Sequence, residues 1–61
     1  ETAELAYLKA IIEARSGASA DVIVAKLKTA ISKNSALKDK ASKDREFIKI
    51  MNDASFIDLI K

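Results

Sequence analysis

ADVIVAKLKTAISK, residues Ala20–Lys33, is the stretch on which the fold class turns. At 3.6 residues per turn, Ala20, Ile23, Val24, Leu27, Ala30 and Ile31 fall on one face. Asp21, Lys26, Lys28, Thr29, Ser32 and Lys33 fall on the other. This i, i+3, i+4, i+7 recurrence marks a helix half in a core and half in water, with Leu27 at the centre of the apolar arc. The stretch carries no reacting group, so it specifies packing rather than chemistry.

Upstream, residues 2–15 predict a first helix rich in Ala, Leu, Glu and Lys, all good helix formers. Its polar sector is narrow, made of Thr2, Lys9 and Glu13 with Ala6 beside them. Its apolar sector has two sides: Ala3, Tyr7, Ala10, Ile11 and Ala14 on one, Leu5, Leu8 and Ile12 on the other. A helix apolar around more than half its circumference expects neighbours on two flanks. Between the two helices, Gly17 supplies a left-handed terminator and Ser19 an N-cap. Asp21 and Lys33 suit the macrodipole of the second helix. So short a connection predicts an antiparallel two-helix hairpin over residues 2–33.

Downstream, Asn34 and Ser35 punctuate the chain, and Ser35 is the expected N-cap of a short third helix through Ala36, Leu37 and Ala41. The tail then repeats itself. DREFIKIMN from Asp44 and DASFIDLIK from Asp53 both place Asp at a cap, Phe three residues later and aliphatics after it. Each has room for about two helical turns. Phe47, Met51, Phe56 and Ile60 are the expected plugs for the open end of the hairpin. The fold class is therefore all-α: a hairpin over 2–33 capped by short helices over 35–61, in one small domain spanning 1–61.

Sixty-one residues with no cysteine and no histidine must hold together without a disulfide or a zinc site. Half the residues are hydrophobic and a third charged, a globular balance, with no proline and one glycine to break helices. No apolar run approaches the ~20 residues needed to cross a bilayer. A chain that opens on Glu1 rather than methionine reads as processed or cut from something longer. The net charge of +2 is uneven. Residues 26–49 carry eight Lys or Arg against three acids, a mildly basic band.

With Tyr7, Leu27 and Ala30 in place, residues 4–37 resemble a tetratricopeptide-type repeat, although Ile11 and Ile23 stand where that family uses small residues and Ser35 where it often has proline. The tail is similar to the segment that follows the last repeat in such proteins: Leu37, Ala41, Asp44 with Phe47, then Asp53 with Phe56. Arg45 and Ala54 replace the prolines usual after those aspartates. The resemblance implies the capping end of a longer helical-repeat scaffold that binds proteins, peptides or its own preceding repeats. It also implies a bacterial cell-envelope or periplasmic setting, which the residues themselves do not encode.

Catalysis is not expected. The chain lacks His, Cys, a nucleophile elbow, a phosphate loop and a calcium-loop spacing, and its aspartates and serines are placed as helix caps and turns. No cofactor or metal is expected either. The competing reading is a small basic nucleic-acid-binding domain, with Lys26, Lys33, Lys38, Lys40, Lys43, Arg45 and Lys49 as phosphate contacts. Against it, the cations are interleaved with acids and have no aromatic expected to be exposed among them, and only one is arginine. The main reading is a non-enzymatic interaction or packing module. Its candidate interaction face is Ala3, Tyr7, Ala10, Ile11 and Ala14, expected to be open in a monomer or covered by a second copy in a weak homodimer.

Overall fold

The computed structural model describes residues 2–61; Glu1, counted above within the 1–61 domain, lies outside them. Four α-helices and one 3-10 helix follow in order: α1 Ala3–Ser16, α2 Ala20–Lys33, α3 Ala36–Lys43, the 3-10 helix Arg45–Ile50, and α4 Ala54–Ile60. Among the described residues there is no strand. The all-α class is as expected.

Local signals set most boundaries. Thr2 Oγ1 accepts from the Leu5 amide at 3.1 Å and opens α1. Gly17, at φ 82°, closes it with a Schellman pair: Ala18 N–H donates to the Glu13 carbonyl and Gly17 N–H to that of Ala14. Ser19 stands at the start of α2 without a side-chain capping bond. The expected Ser35 cap is displaced by one residue. Ser35 already has helical φ and ψ, and Asn34 Oδ1 takes the Ala36 amide instead.

The two tail repeats share their cap but not their helix. Asp44 Oδ1 accepts from Glu46 N–H and Asp53 Oδ1 from Ser55 N–H, the same bond in both copies. After Asp53 the chain forms a short α-helix, as expected. After Asp44 it forms a 3-10 helix, interrupted at Phe47, in place of the two α turns expected. Three residues per turn align Phe47 with Ile50, and both are buried, while Ile48 and Lys49 face out.

α1 and α2 make the most extensive contact, with α4 and α3 against α2 and the 3-10 helix against α1. One core joins all five: Ala6, Tyr7 and Ala10 of α1, Ile23, Val24, Leu27 and Ala30 of α2, and Leu37, Ala41, Phe47, Ile50 and Phe56 of the tail. The radius of gyration is 9.9 Å, close to the ~10.5 Å of a chain this long folded into one unit, so the tail lies back over the helices.

Candidate interaction face

The structure reverses the two sides of α1. Tyr7 and Ala10 of the expected open face are buried, and Ala3, Ile11 and Ala14 pack half-buried against the core. This corrects the expectation of an exposed patch at Ala3, Tyr7, Ala10, Ile11 and Ala14, and with it one argument for a preceding repeat stacked there. The reason is size and chemistry together. Alanines let α2 approach α1 closely, and Tyr7 has partners waiting in the tail.

Those partners form a polar seam over a dry centre. Tyr7 O–H donates to Asp44 Oδ2 at 2.7 Å, while the other oxygen of Asp44 caps the 3-10 helix. The Tyr7 ring meets Phe47 edge to face at 5.8 Å, and Phe47 leans on Phe56 at 6.0 Å. Just over two turns further along α1, Arg15 grips Glu46 with Nε–H to Oε1 at 2.9 Å and Nη2–H to Oε2 at 2.6 Å. Burial pushes the Tyr7 hydroxyl well above its ordinary 10.0, and the hydrogen bond and charge of Asp44 add to it. Arg15's hydrogen bonds hold Glu46 below its usual 4.5 and are in turn held by it. The seam fastens the tail to α1.

The other side of α1 is left to water. Leu5, Leu8 and Ile12 are 44, 51 and 54% exposed. At 3.6 residues per turn they lie within about 60° of one another, about half a turn from Ala10. They were visible in the sequence as the second apolar side. The signal that could have placed them is the stripe of alanines opposite, because small residues mark the side where a neighbouring backbone comes close.

The candidate phosphate contacts are spread over three elements. Lys26 and Lys33 are exposed on α2, Lys40 and Lys43 on α3, and Arg45 and Lys49 on the 3-10 helix, with Lys38 half-buried. On α3, Lys38 projects from one flank and Lys40 and Lys43 from the other. Lys43 pairs with Asp39 at 3.4 Å, and Lys40 Nζ sits 5.0 Å from the Tyr7 ring centroid in a cation–π contact. A shallow groove of about 550 Å³ between α2 and α4 has Asp21, Lys28 and Asp58 on its walls, and Asp58 pairs with Lys61 at 3.4 Å. Among the described residues, no three His, Cys, Asp or Glu converge to hold a metal ion. No helix among them is long and apolar enough to cross a membrane. The chain matches no protein-family model, no curated protein and no solved structure in these comparisons.

Proposed function

We propose that this chain is a non-enzymatic helical interaction module of the tetratricopeptide-like scaffold kind, and that it engages a protein or peptide through the outer face of α1. One observation carries the reading: Leu5, Leu8 and Ile12 line up exposed on a helix whose opposite face is fully built into the core. A helix apolar on both sides ordinarily has neighbours on both. The tetratricopeptide resemblance of residues 4–37 supports the reading because such units bury their faces on adjoining helices. A photo-crosslinking residue at position 8, in the chain made in its own cells, tests it. Adducts at position 8 and none at position 28, across the molecule on α2, are expected. Equal labelling at the two, or none at 8, overturns the reading.

The second reading, nucleic-acid binding, rests on the exposure of Lys26, Lys33, Lys40, Lys43, Arg45 and Lys49. A binder with about six phosphate contacts would lose affinity steeply between roughly 50 and 200 mM salt. We expect no saturable anisotropy change with a labelled duplex or single strand at about physiological salt. Submicromolar binding with that slope would replace the first reading by the second.

A further inference from the structure

We infer that the outer face of α1 pairs with the same face of a second copy of this chain, the two helices antiparallel and Leu8 beside the two-fold axis. The inference rests on the reading of that face as an interaction surface and names its occupant. Leu5, Leu8 and Ile12 recur at i, i+3 and i+7, the spacing of the seam between two packed helices. Reversing one helix on the other sets Leu5 against Ile12 of the second copy and Leu8 against Leu8. The charges along one edge of the seam are complementary in this direction. Glu4 and Arg15 share that edge and sit at opposite ends of α1, so a two-fold axis places each Glu4 beside Arg15 of the other copy. Within its own chain Arg15 commits Nε and Nη2 to Glu46, which leaves Nη1 for a second carboxylate. On the other edge Lys9 and Glu13, four residues apart, nearly cancel. Antiparallel macrodipoles add in the same sense.

The seam is small. Three half-exposed side chains cover a few hundred Å² per copy, roughly, against the ~800 Å² per partner of a standard interface, so the dimer is weak and reversible. We expect a dissociation constant on the order of 0.1–1 mM.

The test is sedimentation velocity on the whole chain with amide NMR spectra, from about 10 μM to about 2 mM, spanning that range. The sedimentation coefficient should rise toward a dimer while shifts at Leu5, Leu8, Lys9 and Ile12 move together. Leu8→Glu keeps the helical circular dichroism and weakens association about tenfold or more, by setting a charge in the seam. Glu4→Arg alone weakens it, and mixing Glu4→Arg with Arg15→Glu restores it, because that heterodimer regains both ion pairs. A chain that stays monomeric at the top concentration, or whose association ignores Leu8→Glu, overturns the inference. Crosslinks at position 8 to chains of another mass, with no self-association, would keep the interaction face and remove the second copy as its occupant. No crosslink and no association would remove both.

Discussion

Asp44 divides its two carboxylate oxygens between two tasks. Oδ1 caps the 3-10 helix and Oδ2 accepts the hydrogen bond from Tyr7 O–H, so one side chain fixes the tail's direction and its contact with α1. Tyr7→Phe removes the second bond and should cost about 1.5–3 kcal/mol, since the acceptor is charged and half-buried. Urea melts would measure this. The same pair sets an alkaline limit. The folded chain holds the Tyr7 proton beyond the ordinary 10.0, so its contribution is complete below pH 10 and is lost as the pH rises from there. Melts of Tyr7→Phe should therefore fall less steeply above pH 10 than those of the parent. Glu46 acts in the opposite sense. Arg15 holds it below 4.5, so its contribution is present above pH 4.5 and is lost as the pH falls below that value. Glu46→Gln should flatten the acid side of the stability profile, modestly, because the pair is solvated.

At the scale of the elements, Gly17 is the one position where the backbone itself demands a residue type. Its φ of 82° lies in the left-handed region, and nothing stands within 4 Å of where a Cβ would project. Gly17→Ala therefore pays only for conformation, about 1–2 kcal/mol, with no steric clash added. Thermal melting would show a lowered midpoint with the helical spectrum unchanged. The two tail segments show how little separates one helix type from another. Identical caps and identically placed phenylalanines lead to a 3-10 helix after Asp44 and an α-helix after Asp53. In the first copy Phe47 and Ile50 both need the interior, three residues apart. In the second, Phe56 is buried with Leu59 and Ile60 packed partly beside it, and Met51 stands likewise beside Phe47 and Ile50 in the first, so the spacing of the apolar residues does not account for the difference.

For the molecule as a whole, Phe47 is the common point: it touches Tyr7 of α1 and Phe56 of α4 and is wholly buried. A domain of this length carries about 3–9 kcal/mol of stability in all. Phe47→Ala, at about 3–5 kcal/mol, should remove most of it and abolish the cooperative melt seen by circular dichroism. Leu27→Ala, at the centre of α2, should come close, at about 2–5 kcal/mol. Ile48→Ala is the internal control. Ile48 is 67% exposed, so the melt should not shift although the change is one residue away. If the two neighbours behaved alike, the assignment of faces in the tail would be wrong.

Local chemistry alone determined the all-α class, the break at Gly17, the Asp44 and Asp53 caps and the core face of α2. Each depends on residues within one or two turns of one another, and α2 offers a single apolar face with no rival. α1 offers two. Its periodicity ranks neither the alanine and tyrosine side nor the leucine and isoleucine side as the inner one. That choice is made by fit to α2 and by Asp44 and Glu46, which meet Tyr7 and Arg15 across sequence separations of 37 and 31 residues. The exposed seam at Leu5, Leu8 and Ile12 is what that choice leaves over. It could not be read from the apolar periodicity of α1, in which only the alanine stripe hints at the inner side, because packing across the chain decides which of two apolar faces goes to the core.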